Sequence, residues 1–371
     1  MIPPQYFSNS AYEQKSICSL IFISEGRLKS PAIDFDHKNL SIAGDFNRPS
    51  DATTMFICRI PPQYFSIIFS IKTMQRSLLT LFLICIHLVS FGQNSKPKKK
   101  PVRQMSDQEY IFQDKMELPK VPTMAEEIVQ VALSFMGTRA PHFITDAEFA
   151  RIDPREVELQ PMSREYLAVS LDLMDCVGFV ETVIGVAQAH RAKVPSYNLF
   201  RNNIRQMRYR NGVIGYADRL HYFSDWIYEN EKRGLLKDIS KEIGGEQYFK
   251  DINYMSQKRD TFYGNMADPT TFARVRAKEI EISERPHWYI SETNVQSIES
   301  QLKNGDVIAI TNAREGMDIA HCGFVLFQEG RAHMMHASTQ LGYVTITKEP
   351  MYEYLNKLNR LTGIMVMRMN E

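Results

Sequence analysis

The amino-acid sequence predicts an α+β fold in which helices come first and a small antiparallel sheet comes last. Up to about residue 190, apolar residues recur with the spacing of one helical face. From residue 306 onwards, short β-branched or alternating segments are separated by turn-forming stretches such as QEG and TQLG. Helices followed by strands are the pattern of α+β domains.

Two helices are predicted in the first half of the chain. Thr123 and Glu126 fit a capping box, so the first helix begins near Thr123, and it ends at Gly137. A loop region follows over about 138–165. The second helix spans about 174–190. Its apolar face is formed by Val177, Val180, Ile184 and Ala187.

The last third of the chain predicts the sheet. Its strands are predicted at 306–311, 319–327, 331–337, 342–347 and 363–369. A helix over about 350–359 precedes the final strand. Residues 196–300 are predicted to be mixed helical and loop segments inserted before the sheet.

The bulk composition is that of an ordinary globular protein. The 371 residues include 44 Lys and Arg against 43 Asp and Glu, which gives a formal net charge of +1. A nucleic-acid-binding domain usually carries an evident basic excess. We therefore expect no nucleic-acid partner.

Residues 74–92 have the architecture of a cleavable signal peptide. Arg76 is followed by an apolar run over 78–89, which is short for a membrane span, and then by small residues. We predict cleavage near Gly92–Gln93 and no stable membrane insertion afterwards. Residues 1–73 are interpreted as an upstream translation artefact or a disordered extension.

A lipid anchor at Cys85 is the less favoured alternative, because the bulky Leu83 and Ile84 precede it where small residues are expected. Residues 93–122 contain the basic stretch KPKKKPVRQ and are predicted to be a solvated tether. Residues 123–371 are then predicted to form a single domain.

Cys176 is a candidate nucleophile. Of the five cysteines, only Cys176 and Cys322 remain once residues 1–92 are removed. Cys176 falls in the first turn of its predicted helix, where unpaired N–H groups and the helix dipole stabilise a thiolate. A disulfide with Cys322 is the alternative for an exported protein.

Two histidines of the predicted sheet supply a base and a residue that orients it. Strand alternation places His321 and Gly323 on one face, and the glycine leaves room for a close approach. His336 lies fifteen positions beyond His321 across a short turn, so the two can be cross-strand neighbours. The same alternation predicts that Cys322 faces away from Cys176 as a buried apolar residue.

Each of these residues also has a structural interpretation, since a cysteine or histidine taken singly more often belongs to the core. A zinc site is a further alternative. Its ligands would be His321, His333 and His336 with Asp318 or Asp306. However, His333 and His336 point to opposite faces of a strand, and no His-Glu-x-x-His helix is present. We therefore expect no metal.

The motifs MDCVGFVE and GDVIAIT…IAHCGFVLF…MMHAS resemble the signatures of NlpC-type cysteine peptidases, papain-like enzymes that cut peptidoglycan. The segments RYRNGVIGY (208–216) and RLHYFSDWIYEN (219–230) resemble one branch, the N-acetylmuramoyl-L-alanine amidase-like group of Gram-negative bacteria. The resemblance covers about 123–370. It implies that Cys176 is the nucleophile, that His321 is the general base and that His336 orients it.

The resemblance also implies an NlpC-type core with the catalytic cysteine at a helix N-terminus. It implies a hydrolase that cuts the amide between N-acetylmuramic acid and L-alanine, on anhydro-muropeptides. From the signal peptide we expect a periplasmic protein, and we expect a monomer without a cofactor. A stem-peptide endopeptidase and a muropeptide-binding module without activity are the alternatives. Two positions depart from the branch: MGTRAP replaces a Gly-Thr-Pro-Tyr-like segment, and Gly178 replaces Thr or Ser.

Stem peptides carry carboxylates, so the substrate cleft needs cations and aromatic groups. The predicted substrate-binding residues are Arg208, Arg210, Tyr216, Arg219, Tyr222 and Asp225. The alternative is that the arginines are a solvated surface run, and Trp226 is assigned to the core. Asp175 is predicted to cap the helix whose first N–H groups, that of Cys176 included, would bind the oxyanion.

Overall fold

The computed structural model describes residues 105–141, 157–159, 165–357 and 360–371, with only the main chain for 157–159 and Phe262. The expectations for 1–73 and for the signal peptide at 74–92 lie outside these residues. So does the first part of the tether. The described residues contain no helix long and apolar enough to cross a membrane.

The helices occupy the first two thirds of the described chain, with two short ones later. In chain order they are α1 (Asp107–Met116), α2 (Met124–Leu133), α3 (Cys176–Arg191), α4 (Tyr197–Arg208), α5 (Phe223–Lys232), α6 (Tyr254–Gln257), α7 (Arg259–Phe262), α8 (Pro269–Glu284), α9 (Val295–Ile298) and α10 (Met351–Asn356).

The predicted capping box at the start of α2 is confirmed. The Thr123 side chain accepts from the Glu126 N–H, and the Glu126 carboxylate accepts from the Thr123 N–H. The tether predicted for 93–122 is wrong in its second half, because residues 107–116 form α1. Phe112 of this helix is buried and stacks on Phe200 at a centroid distance of 5.6 Å. One buried aromatic gave too little periodicity for the helix to be predicted.

The strands form an antiparallel sheet and a separate small hairpin. They are β1 (Val157–Leu159), β2 (Tyr166–Ala168), β3 (Leu236–Asp238), β4 (Glu246–Tyr248), β5 (His287–Ser291), β6 (Val307–Asn312), β7 (Ile319–Gln328), β8 (Arg331–Ser338), β9 (Tyr343–Ile346) and β10 (Leu361–Met369). The order in the main sheet is β4-β5-β10-β6-β7-β8-β9, and β3 also pairs with β10.

The α+β class is confirmed, and so are the five strands predicted after residue 306. The prediction of helices and loops alone over 196–300 is wrong, because β3, β4 and β5 lie there. Each is five residues long or shorter. Strands this short give too few alternating positions to be recognised. β3 and β5 pair with β10, and β4 pairs with β5 at the edge of the sheet.

The two faces of the sheet carry separate apolar clusters. One face packs against α2, α3 and α4, and it includes Cys322 and Phe324. The other packs against α9 and α10, and it includes Val325 and Met334. Consecutive residues of β7 therefore contribute to opposite layers, as strand geometry requires.

Helix α3 lies in the first layer and is held there by buried polar contacts. Glu181 accepts from Arg208 at 2.7 Å and from the indole N–H of Trp226 at 3.2 Å. At the other end of the helix, His190 contacts Glu127 at 2.7 Å, with both side chains fully buried. Buried charges are tolerated when they are paired in this way, so these contacts hold α3 against α2, α4 and α5.

Candidate functional site

Cys176 is the first residue of α3. Asp175 is the N-cap, and its carboxylate accepts from the Gly178 N–H at 2.6 Å. A Cβ at position 178 would lie 3.0 Å from the Asp175 carboxylate, so glycine leaves room for this cap. The cap fixes the main chain at the nucleophile candidate, whose side chain is buried at 8% exposure.

His321 and His336 form a contact between adjacent strands. The His321 Nε2 lies 2.6 Å from the His336 Nδ1, and the two rings are nearly perpendicular. His336 lies across the ladder from Gly323, where a Cβ would clash with the Met335 main-chain oxygen and lie 3.1 Å from the His336 Cβ. The close approach predicted at Gly323 is thus confirmed.

A register shift precedes His321 on β7. His321 pairs with Ile310, but Ile319 pairs with Thr311, which leaves Ala320 as an extra residue. Bulges of this kind redirect neighbouring side chains and are common beside active sites. Both Cys322 and His321 lie close enough to Cys176 to lower the pKa of its thiol.

The expectation that Cys322 faces away from Cys176 is therefore wrong. Cys322 does lie on the helix-covered face opposite His321, but Cys176 begins α3 on that same face. Both cysteines are nevertheless free thiols, so no disulfide joins them.

The surroundings of Cys176 favour its ionised form. Hydrogen bonding from Cys322 lowers the pKa of the Cys176 thiol well below its ordinary value, and the charge and hydrogen bond of His321 lower it further against the opposing effect of burial. Burial, with a contribution from Cys176, raises the pKa of Asp175. The site can therefore hold a thiolate near neutral pH.

His336 is kept neutral. Burial and the neighbouring His321 lower the pKa of His336 to about 3. A neutral imidazole can accept at Nδ1, so His336 can receive a hydrogen bond from a protonated His321 Nε2. That contact leaves Nδ1 as the nitrogen of His321 that can exchange a proton with Cys176.

Tyr354 of α10 adds a hydroxyl to the site and was missed by sequence reasoning. Its ring packs edge-on against His336 at a centroid distance of 5.8 Å. Burial raises the pKa of Tyr354, and the charge of Cys176 raises it further. The hydroxyl therefore stays protonated and can donate. The apolar pattern of α10 predicted a helix but carried no signal for this role.

Three of the predicted substrate-binding residues are engaged in buried ion pairs. Arg208 binds Glu181, and Arg210 binds both Asp225 and Glu229. Asp225 also accepts from Arg285 at 2.9 Å. These side chains of Arg208, Arg210 and Asp225 are at most 13% exposed. Their contacts explain why they are present without requiring a substrate.

The other three predicted residues differ in exposure. Tyr222 is buried, donates to Glu279 at 2.7 Å and accepts from the Met255 N–H. Tyr216 is buried beside His221, at a centroid distance of 4.6 Å. Arg219 binds Glu165 at 2.8 Å, yet its side chain keeps 33% exposure. Trp226 belongs to the core at 1% exposure, as predicted.

His333 lies apart from the histidine pair. It is buried on the opposite face of β8 from His336, and its Nδ1 contacts the Thr347 main-chain oxygen at 2.8 Å. Within the described ranges, no group of three or more His, Cys, Asp or Glu side chains is arranged to hold a metal ion.

A cleft of about 570 Å³ opens at the ends of β4, β6 and β10, away from the cysteine and the histidine pair. It is lined by Tyr248, Phe249, Lys250, Tyr289, Asn312 and Thr362, among others. The Tyr248 hydroxyl donates to the main-chain oxygen of Asp318, which lies just before β7. The cleft wall is thereby tied to the loop that precedes His321.

A family model and a solved structure indicate the same family. A family model described as AmiA-like, N-acetylmuramoyl-L-alanine amidase-like, matches residues 155–364. A solved N-acetylmuramoyl-L-alanine amidase from Bacteroides uniformis is 26% identical with a TM-score of 0.59, covering 67% of this chain and 99% of that one. No curated protein matches the chain.

Two further solved structures are similar. A putative xylanase from Bacteroides fragilis is 28% identical with a TM-score of 0.56, over 65% of this chain and 100% of that one. A protein from Legionella pneumophila is 24% identical with a TM-score of 0.50, over 71% and 93% of the two chains. The Legionella similarity concerns the fold alone.

Proposed function

Because the chain belongs to the AmiA-like, N-acetylmuramoyl-L-alanine amidase-like family, we propose that it is an exported cysteine amidase. The substrate is a peptidoglycan fragment, an anhydro-muropeptide, and the bond cut joins N-acetylmuramic acid to L-alanine. The family supports a hydrolase that acts on peptidoglycan. The cysteine mechanism, the exact bond and export to the periplasm are the parts that require their own tests.

One observation supports the mechanism: His321, whose charge and hydrogen bond help to lower the pKa of Cys176, has its Nε2 2.6 Å from the His336 Nδ1. A nucleophile beside a base that is itself held by a third group is the general arrangement of covalent hydrolases. The pKa of Cys176 is lowered, so the attacking thiolate is available without a separate activation step.

The reaction then proceeds in two halves. The Cys176 thiolate attacks the lactyl carbonyl carbon of the muramic acid, and protonated His321 gives its proton to the departing L-alanine amine. This leaves a thioester on Cys176. A water molecule gives one proton to His321 and attacks the thioester. The muramic acid leaves and its new carboxyl group loses its proton to solvent, while the Cys176 thiolate and protonated His321 are regenerated.

The oxyanion formed in each half needs hydrogen-bond donors. The Cys176 N–H lies at the first position of α3, where main-chain donors have no acceptor within the helix. The Tyr354 hydroxyl is the second donor that we propose. It stays protonated, and it lies close enough to Cys176 for the charge of that residue to raise the pKa of Tyr354. Removing one such donor typically costs about 10²-fold in kcat.

Recognition of the stem-peptide carboxylates falls to Arg219 among the predicted binding residues. Its side chain keeps 33% exposure while its guanidinium is oriented by Glu165. Arginine pairs with carboxylates through two parallel hydrogen bonds. The buried Arg208, Arg210 and Asp225 then support the position of α3 and α5 and do not contact substrate.

Defined muropeptides incubated with the protein, followed by mass spectrometry of the products, test this function. We expect release of the intact stem peptide from the sugar, and loss of that release in Cys176→Ala. Retained cleavage by Cys176→Ala would falsify the cysteine mechanism. His333→Asn is the matched control, because it changes a histidine near the site that does not contact Cys176.

The same assay separates the alternatives. Cleavage between L-alanine and D-glutamate identifies an endopeptidase and overturns only the bond assignment. Loss of activity with a chelator, together with resistance to iodoacetamide, identifies a zinc enzyme. Binding of muropeptides without any turnover identifies a binding module.

A further inference from the structure

The cleft at the ends of β4, β6 and β10 holds an exposed aromatic side chain that packing does not explain. Phe249 directly follows β4 and keeps 80% exposure, the highest value among the large apolar side chains exposed in the described residues. Tyr248 and Tyr289 line the same cleft. Single exposed apolar residues are common on protein surfaces, but an exposed aromatic ring inside a concave, aromatic-lined cleft is typical of a ligand site.

The two tyrosines of the cleft are held in place by the rest of the fold. Their ring centroids lie 5.0 Å apart, with the rings tilted by 57°. The Tyr248 hydroxyl donates to the Asp318 main-chain oxygen at 3.3 Å. Both rings pack against the apolar cluster that contains Cys176. A ligand in the cleft would therefore meet two fixed aromatic rings and the exposed ring of Phe249.

The charges that line the cleft favour a neutral ligand. The charged lining residues are Lys250, Asp251 and Glu315. Lys250 donates to the Asn312 main-chain oxygen, which holds its ammonium group against the protein. The lining therefore carries one cation against two carboxylates. This balance disfavours the carboxylates of a stem peptide, and it suits a ligand rich in hydroxyl and amide groups.

We propose that this cleft is an accessory subsite for a neutral N-acetylated sugar ring, next to the muramic acid whose amide is cut. The inference rests on the proposed function, because a peptidoglycan fragment supplies such a ring beside its muramic acid. One face of a sugar ring presents C–H groups that pack on aromatic rings, and its hydroxyl and acetamido groups bind polar side chains. The volume of about 570 Å³ falls within the range of about 300–1,000 Å³ of small-ligand sites.

The cleft opens at the same end of the sheet as the histidine pair. Ile310 pairs with His321 across β6 and β7, and Asn312 of the cleft lies two residues beyond Ile310. One strand spacing and two residues along a strand separate the main chains of Asn312 and His321 by on the order of 10 Å. A ring in the cleft and a muramic acid at Cys176 can therefore belong to one disaccharide.

Calorimetric titration of the purified full chain with chitotriose, a trimer of N-acetylglucosamine, tests the subsite. The trimer has neither muramic acid nor peptide, so it lacks the bond that the proposed amidase cuts. We expect chitotriose to bind the unchanged protein, and to bind about tenfold more weakly to Phe249→Ala. Phe249→Tyr keeps an aromatic ring and should retain the affinity. Val194→Ala is the matched control, because Val194 is 78% exposed and does not line the cleft.

Steady-state kinetics tests where the subsite lies relative to the reaction. On a peptide linked to a disaccharide, Phe249→Ala should raise KM about tenfold and leave kcat unchanged. On a muramoyl peptide without the neighbouring sugar, Phe249→Ala and the unchanged protein should have the same KM. An equal rise in KM on both substrates would overturn the position beside the muramic acid.

Absence of chitotriose binding to the unchanged protein would overturn the proposal. Equal affinities in Phe249→Ala and Val194→Ala would also overturn it. Near-ultraviolet circular dichroism checks that each variant is folded, and the exposure of Phe249 means that its removal opens no cavity in the core.

Sugar binding does not depend on turnover, so the two proposals can fail separately. Chitotriose binding that requires Phe249, without muropeptide cleavage, would refute the amidase function and leave the sugar site intact. Cleavage that requires Cys176, without chitotriose binding, would refute the sugar site alone.

Discussion

The Nε2 atom of His321 lies 2.6 Å from the Nδ1 atom of His336 across the β7–β8 ladder. Since the pKa of His336 is lowered to about 3, His336 stays neutral near neutral pH and can accept a hydrogen bond from His321. In the proposed mechanism the pair is thus asymmetric, because His321 exchanges the proton and His336 only accepts from it.

Replacing His336 tests this asymmetry. His336→Leu removes the acceptor, so we expect kcat for muropeptide cleavage to fall about 10²-fold with little change in KM. His336→Asn retains a side-chain acceptor and should lose less. Steady-state kinetics measures both, with His333→Asn as the control; equal losses in the Leu and Asn variants would contradict an orienting role.

Gly323→Ala tests the close approach of the two strands. A Cβ there meets the Met335 oxygen and the His336 Cβ, so we expect a loss of about 1–3 kcal/mol in the free energy of unfolding. Gly264→Ala is the matched control, because nothing lies within 4 Å of its Cβ position. Urea denaturation measures both variants; equal stabilities would show that the strands can separate without cost.

Acid should destabilise the protein in a defined window. The pKa of His336 is lowered to about 3 and that of His221 to about 4, both by burial first, from an ordinary 6.5. Below pH 6.5 the unfolded chain therefore binds protons that the folded chain does not. Stability falls as pH falls towards these lowered pKa values, by about 1.4 kcal/mol per pH unit for each histidine.

Urea denaturation between pH 7 and pH 5 measures this slope. His221→Gln should reduce the slope of the free energy of unfolding against pH by the contribution of one histidine. An unchanged slope in that variant would mean that His221 is protonated in the folded protein.

Asp225→Ala separates support of the fold from substrate binding. The change leaves Arg210 and Arg285 facing each other without their shared carboxylate, so we expect a loss of about 3–5 kcal/mol. KM measured on the folded protein should stay unchanged. Asp218→Ala breaks the exposed pair with Arg274 and should cost less than about 1 kcal/mol. A raised KM in Asp225→Ala would indicate that Asp225 contributes to substrate binding.

Export predicts a mature N-terminus near Gln93. N-terminal sequencing of protein from the periplasm of a Gram-negative host should find it, and Cys85→Ser should leave both cleavage and solubility unchanged. Retention of Cys85→Ser protein in the cytoplasm, or a lipid-modified cysteine in the unchanged protein, would favour the anchor.

The sequence predicted the helices and strands that are determined by a local pattern of residues. Alternation over β6 to β10 and the capping box at Thr123 gave correct elements because each is decided by nearby residues. It also predicted that His321 and His336 meet, since one short turn joins their strands. Short β3, β4 and β5 have no such local pattern.

The contacts between residues distant in sequence could not be predicted. The carboxylates of Glu181 and Glu165 that bind Arg208 and Arg219 come from separate segments, so the arginines looked available for substrate. Cys322 was misplaced for a related reason. Alternation states which face a residue occupies, but the helix start that shares this face depends on the packing of α3 and on the bulge at Ala320.

The position of β10 in the sheet bears on how the polypeptide matures. This strand is the last of the eight to be synthesised, yet it pairs with β3, β5 and β6, which would otherwise have no common neighbour. Pairings between such distant segments form slowly. The sheet therefore cannot close until this strand has been made, so its pairing is completed only at the end of synthesis of the domain.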